Sequence, residues 1–343
     1  IDQSACNHDL SCLDGFCPSF VTVSGAVPRV HGAPDLPQAE EPTSKPSLDA
    51  PYSILINGIG GTGVVTVGAL IGMAAHLEVG AAGLIDMAGL AQKGGSVFSH
   101  IKLARTAAEI SAIRVPSGGA DLLLGCDLLI SATNASLSTL DKRSSHAVVN
   151  SHQQMPGEFA RERDFRLPLD SMVGRIETAV ATGRSAFVNA TSIASQLLGN
   201  SIGANTIMLG VAYQRGLLPL SADALLRAIE LNGVAIELNK KAFALGRQWV
   251  QDPDVVLQLL QQPDALKPQS LDDLIADRSR RLSAYQSADY ATRYTNLVGR
   301  ARAGNAEFAE AVAQCFYKLM AYKDEYEIAA LYSDVSFKSD LSK

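Results

Sequence analysis

No stretch of this sequence is apolar for long enough to cross a bilayer, which takes roughly 20 consecutive residues. A membrane-spanning helix is therefore not expected. Positive charge is not in excess either: 29 Lys and Arg stand against 35 Asp and Glu, a formal net charge of −6. Nucleic-acid-binding domains are usually basic, so that class is not suggested. Cysteine is scarce and unevenly placed. A disulfide framework needs an oxidising compartment and a partner for each thiol. Neither is evident among five cysteines, three of which (Cys6, Cys12, Cys17) crowd into one short segment. Repeats of solenoid length are missing. The start shows no secretory leader, and Ile1 stands where an initiator Met would. The chain is accordingly read as an internal piece, with cuts or processing sites at both ends.

With 343 residues the chain is long enough for about two domains. Residues 1–24 form a short Cys-bearing module. Residues 25–50 carry Pro28, Pro34, Pro37, Pro42 and Pro46 and few apolar residues, which reads as an extended linker. From Pro51 the texture changes. Ile54, Leu55 and Ile56 mark a strand, a glycine-rich turn follows, and a helix runs from about Gly63 to Leu77. Further strands are expected at 82–86, 96–103, 128–132, 147–150 and 186–189. Helices are expected at 172–182, 191–199, 203–215, 221–231 and 234–250. This alternation predicts an α/β fold: a doubly wound, mostly parallel sheet with helices on both faces. Residues from 270 to about 332 lack strand signals and show helical periodicity, so 251–343 is read as a helical extension. Cys126 and Cys315 fall on apolar faces and read as core thiols.

Three signals point to chemistry. After the first strand comes Gly58-Ile59-Gly60-Gly61-Thr62-Gly63, which fits G-x-G-x-x-G. Glycines let the backbone approach a ligand closely, and the following helix offers free N–H groups to an anion. Thr62 adds a hydroxyl donor, and Asp86 ends the second strand where a dinucleotide fold places its ribose-binding acid. Tight strand–helix packing would use the same glycines. The second signal is Lys93-Gly94-Gly95, either an anion-binding concavity or a turn with a solvated lysine. His100 alternates with apolar neighbours and reads as a structural or surface histidine rather than a catalyst. The third is Cys6, Cys12 and Cys17 followed by Pro18. Thiolates with a Cys-Pro ending suit an iron–sulfur cluster, although the spacing is unusual and a cubane wants four ligands. Zinc or chance clustering compete.

Taken together these segments resemble a known family. Cys6-Asn7 with Ser11-Cys12-Leu13-Asp14-Gly15-Phe16-Cys17-Pro18 looks like the second iron–sulfur segment of fused indolepyruvate ferredoxin oxidoreductases. Asn57 to Thr66, Asp86 to Gly95, Asn205 to Gly210 and Asn239 to Gly246 resemble the gamma domain of pyruvate/2-oxoacid ferredoxin oxidoreductases. Residues 270–343 look like the helical extension of the fused bacterial members. The resemblance implies a gamma-type domain at 51–250 and a partial iron–sulfur segment at 1–24. It implies an oxidoreductase that decarboxylates a 2-oxoacid and passes electrons through [4Fe-4S] clusters to ferredoxin. It further implies CoA as co-substrate, thiamine diphosphate and Mg in domains outside this chain, a cytoplasmic location and a homo-oligomer. The implied ligand contacts are Gly58, Gly60, Gly61, Thr62, Gly63, Lys93, Gly94 and Gly95, and the implied metal ligands are Cys6, Cys12 and Cys17. No residue is assigned a catalytic role. Lys93 stands where arginine is common in the family, which loses a bidentate fork. The alternatives from other classes are an NAD-binding dehydrogenase domain, resting on Gly58–Gly63 and Asp86, and a non-catalytic docking scaffold.

Overall fold

The computed structural model describes residues 36–37, 39–89, 95–154, 166–260, 270–321, 326, 329–330, 333, 335 and 339. Cys6, Cys12, Cys17, Lys93 and Gly94 lie outside the described residues. Those described fall into two units, an α/β unit within 36–260 and a helical unit from 270 onward. Among them, no helix is long and apolar enough to cross a membrane.

The α/β unit is built on a six-stranded sheet: β1 (Tyr52–Ile59), β2 (Ala81–Ala88), β3 (Ser96–Ala104), β4 (Leu122–Gly125), β5 (His146–Asn150) and β6 (Ser185–Val188). Their spatial order is β2-β3-β1-β4-β5-β6. The pairs β1–β4, β4–β5 and β5–β6 are parallel. β3 alone among the described strands runs against its neighbours, pairing antiparallel with both β1 and β2. The sheet is thus mostly parallel, as the alternation of elements predicts. Successive side chains of a strand point to opposite faces, and both faces here are apolar. Ile54 and Ile56 of β1, with Leu122 and Leu124 of β4, enter one core. Leu55 and Leu123 between them enter the other. Burial on both faces explains why these strands read as continuous apolar runs.

The first face is covered by α1 (Val64–Glu78), α5 (Ala190–Leu197), α6 (Ala204–Gln214), α7 (Ala222–Asn232), α8 (Ile236–Gln251) and α9 (Pro253–Leu260). The second takes α2 (Leu128–Ser131) and α4 (Leu169–Ala179), while α3 (Asn134–Leu137) lies between them in the chain. The expected strand at 128–132 is instead the short helix α2. The strand ends at Gly125, and Asp127 caps the helix by accepting a hydrogen bond from Ile130 N at 2.8 Å. An Asp at that position satisfies one of the orphan N–H groups of a first turn.

Two boundaries differ from the expectation. Residues 39–50 have no helix or strand, yet they lie on the α/β unit: Leu48 is buried in its core and Leu36 packs against the same cluster. α9 also belongs to this unit, through Val256.

The helical unit comprises, among the described residues, α10 (Leu271–Tyr285), α11 (Ala288–Arg302) and α12 (Ala306–Met320). Each begins with a side-chain cap, from Ser270, Ser287 and Asn305; such a cap is worth about 1 kcal/mol. Its core gathers Leu282, Tyr294, Val298, Ala313 and Met320. Cys315 is exposed, contrary to the core role expected for it. The packed face of α12 runs through Val312, Ala313, Phe316, Tyr317 and Met320, and Cys315 falls off that stripe with Leu319.

The tightest packing joins α6 to α8. A Cβ added at Gly210 would lie 2.2 Å from Phe243 O, and one at Gly246 would lie 2.0 Å from Ile207 O. Only glycine lets the two helix backbones approach this closely. Gly246→Ala is therefore expected to cost about 3 kcal/mol or more, the upper end for overpacking. Gly174→Ala on α4, where an added Cβ meets nothing within 4 Å, should instead add about 0.5–1 kcal/mol. Urea melts of both variants check this pair; a Gly246→Ala protein as stable as its parent would refute the close approach.

Candidate functional site

The carboxyl ends of β1, β4 and β5 point to one edge of the sheet, where ligands bind in open α/β folds. A cavity of ≈ 290 Å³ lies there, and its wall includes Gly61, Thr62, Cys126, Asp127, Asn150, His152, Thr191 and Asn205. β1 delivers the glycine turn, and Gly61 (φ 87°) and Gly63 (φ 91°) adopt the left-handed conformation that suits glycine. Gly58 answers to packing: a Cβ there would meet Val64 Cγ2 at 2.7 Å and Cys126 Cβ at 3.0 Å. The two readings of the motif therefore apply to different members of it. Gly58 makes room for Val64 of α1 and for Cys126, and Gly61 lies in the cavity wall.

The second glycine loop adjoins the first. Gly60 N donates to Gly95 O at 2.7 Å, so the end of the Lys93-Gly94-Gly95 segment meets the turn after β1. The contact comes about differently from a doubly wound crossover. β2 and β3 form a hairpin, and β3 occupies the place next to β1. Asp86 is consequently one strand further out and accepts a hydrogen bond from Ser99 Oγ on β3. The strand neighbouring β1 thus carries no ribose-binding acid at that position, and the geometric basis for a dinucleotide site is lost. His100 is buried, and its Nδ1 accepts from Val115 N at 3.2 Å. It is structural, as expected; burial and the nearby Arg114 charge hold its pKa below the usual value.

The Thr62 hydroxyl is already committed, donating to Ile59 O at 2.7 Å. Its expected role as a donor to a ligand is corrected accordingly: the side chain tightens the turn. The groups that line the cavity from elsewhere include two amides with partners across it. Asn205, at the start of α6, donates from Nδ2 to Thr62 O at 2.8 Å and so ties the turn to α6. Asn150, at the end of β5, donates to Thr191 Oγ1 at 2.8 Å and to Cys126 O at 3.3 Å, and its Oδ1 accepts from His152 N at 3.2 Å. Both asparagines are buried. Below them Asn57 is held by Ser131 and Ser136 at 2.9 and 2.7 Å. These polar residues escape a reading by spacing because each is a lone residue at a strand end or helix start. Their common position becomes visible only once the sheet order is known.

Three helices, α1, α5 and α6, begin at this cavity, and none has an acidic residue in its first turn. First-turn N–H groups lack intrahelical partners and carry the positive end of the helix dipole. Among the described lining residues there is no Lys or Arg. The charged group there is Asp127, whose carboxyl is pushed up by burial, an effect partly offset by the N–H groups of Ile130 and Leu129 and by His152. Burial, reinforced by the Asp127 charge, also pushes the Cys126 thiol up to about 12. At neutral pH it stays protonated and is a poor nucleophile. The described part of the cavity thus presents helix starts, two buried asparagines and one carboxyl, with no activated nucleophile. No group of three or more His, Cys, Asp or Glu suited to a metal ion occurs among the described residues.

Parts of this chain are similar in sequence to known proteins. The family described as pyruvate ferredoxin/flavodoxin oxidoreductase matches residues 53–249. A family of unknown function (DUF6537) matches residues 271–343. The indolepyruvate oxidoreductase subunit IorB of Methanothermobacter thermautotrophicus is 29% identical over 199 residues, covering 57% of this chain and 95% of that protein. Its namesake from Archaeoglobus fulgidus is 25% identical, covering 57% and 92%. Among solved structures, the pyruvate oxidoreductase subunit PORC from Thermotoga maritima is 22% identical, with a TM-score of 0.42, and covers 58% of this chain and 97% of that one.

Two outcomes follow from the site. In native protein treated with iodoacetamide, peptide mapping should find Cys315 alkylated and Cys126 unmodified until the protein unfolds; rapid native labelling of Cys126 would contradict its burial. Calorimetry with NADH should detect no micromolar binding. Such binding, abolished by Asp86→Ala, would restore the dinucleotide alternative.

Proposed function

Because the chain belongs to the pyruvate ferredoxin/flavodoxin oxidoreductase family through residues 53–249, we propose that it is the gamma-type portion of a fused 2-oxoacid:ferredoxin oxidoreductase acting on an aryl pyruvate of the indolepyruvate kind. The names of the IorB relatives support the choice of substrate class. In this reading the whole enzyme converts a 2-oxoacid, CoA and two oxidised ferredoxins into acyl-CoA, CO2, two reduced ferredoxins and a proton. Thiamine diphosphate, held with Mg by domains outside this chain, supplies the carbanion chemistry of decarboxylation.

The residues of this chain bind and position. The first turn of α1 and the backbone of Gly61 and Gly63 present N–H groups to an anionic part of CoA or to the 2-oxoacid carboxylate. Asn205 keeps the turn in register through Thr62 O. Lys93 adds one ammonium from the neighbouring loop. Cys6, Cys12 and Cys17 are three thiolates, a donor set suited to a [4Fe-4S] cluster whose fourth ligand comes from elsewhere. Such a cluster carries single electrons toward ferredoxin.

The observation that carries the site assignment is the Gly60 N to Gly95 O bond at 2.7 Å, which joins the two glycine loops beside the cavity. In the full enzyme, Lys93→Ala should raise the Michaelis constant for CoA or the 2-oxoacid about tenfold, as for one lost charge-assisted hydrogen bond of roughly 1.5 kcal/mol. Unaltered kinetics with intact assembly would remove Lys93 from the site and leave the glycines a docking role. For the cluster, the full-length protein is reconstituted anaerobically with each of Cys6, Cys12 and Cys17 changed to Ser. Iron content should fall in every variant, and unchanged iron in all three would reject the assignment.

A further inference from the structure

The proline-containing segment before β1 is held in a polar groove at the end of α6 and α8, away from the glycine turn. Arg247 of α8 reads its backbone: Nη2 donates to Ala39 O at 3.1 Å and to Glu40 O at 2.9 Å. Gln214 Nε2 donates to the same Glu40 carbonyl at 2.7 Å, and Glu40 N donates to Gln251 Oε1 at 2.7 Å. The Glu41 side chain is taken at both oxygens. Oε1 lies 2.9 Å from Arg247 Nη2, and Oε2 accepts from Tyr213 OH. Lys45 Nζ then sits 5.7 Å from the centre of the Tyr213 ring. Gly216, at φ 69°, leaves the room that Ser44 O occupies; a Cβ there would be 2.3 Å from that oxygen.

The groove side chains are also held by contacts with one another and with the helices. Arg247 Nε is held by Gln214 Oε1 at 2.8 Å, and its guanidinium lies 5.1 Å from the Tyr213 ring centre. Tyr213 OH in turn accepts from Ala222 N at 3.1 Å. A site whose side chains are already fixed binds with less ordering cost, and a guanidinium suits both carbonyls and a carboxylate. The groove residues Tyr213, Gln214 and Arg247 lie inside the family match at 53–249, whereas the segment that fills it lies before residue 53.

We propose that the α6–α8 end is a recognition site for an extended acidic peptide, occupied in cis by residues 39–48, which act as a strap anchoring whatever precedes residue 39 to the α/β unit. Tethering makes the strap a local ligand at high effective concentration, so a peptide added from outside competes only when the strap is weakened. This proposal stands apart from the CoA-side cavity and from the reaction assigned above.

The test uses the full chain. Hydrogen exchange should show the Glu40 amide protected at least tenfold, with protection lost in Glu41→Gln and in Arg247→Met while β1 and β4 amides stay unchanged. A synthetic peptide of residues 36–50, fluorescently labelled, should bind the Glu41→Gln chain and fail to bind the Arg247→Met chain. An unprotected Glu40 amide in the parent chain would overturn the strap, as would exchange unaffected by both substitutions. Peptide binding to neither variant, or to both equally, would overturn the recognition site. Glu41→Gln leaves the helices untouched and keeps the exchange test meaningful should Arg247→Met fold poorly.

Discussion

The contact on which most of this structure depends is the backbone approach of α6 to α8 at Gly210 and Gly246. It places two helices nearer than side chains permit, and α6 is buried along nearly its whole length as a result. One end of α6 carries Asn205, which ties down the glycine turn at the cavity. The other end carries Tyr213 and Gln214, which hold the segment before β1. A single buried helix therefore fixes two edges of the unit, and its position rests on two positions without side chains. Cores are close-packed and transmit displacement, so a shift at this crossing would be felt at both ends.

The sheet was largely readable because a strand buried on both faces shows as a continuous apolar run, and the glycine turn marked where the first one ends. What resisted reading was order. Periodicity places strands along the chain and says nothing about neighbours. The β2–β3 connection did hold a clue: a parallel crossover needs a dozen or more residues, and only a short loop separates Ala88 from Ser96. The stretch from Leu122 to Ile130 deceived for the opposite reason. Its apolar content resumes after the strand, and the decisive signal is the one charged residue between, Asp127 as a helix cap.

The cavity divides in the same manner. Glycines announce themselves in clusters, so Gly58 to Gly63 were found. Asn150, Thr191 and Asn205 come from three separate elements, and no spacing rule links residues so far apart in sequence. Thr62 shows the limit of reading a residue by its type. A threonine in a glycine turn invites the role of ligand donor, but its hydroxyl turns back onto Ile59 O. Cys315 makes a similar point on α12, where one step around the helix separates packed from exposed.

The reversed strand β3 gives the binding edge a sidedness. Among the described residues, the cavity wall takes members from the ends of β1, β4 and β5 and none from β2 or β3. The described residues of the hairpin thus stand outside the wall, which is lined from the side of β4 and β5. The groups presented along this edge therefore come from the ends of β1, β4 and β5, Asp127 and Asn150 among them.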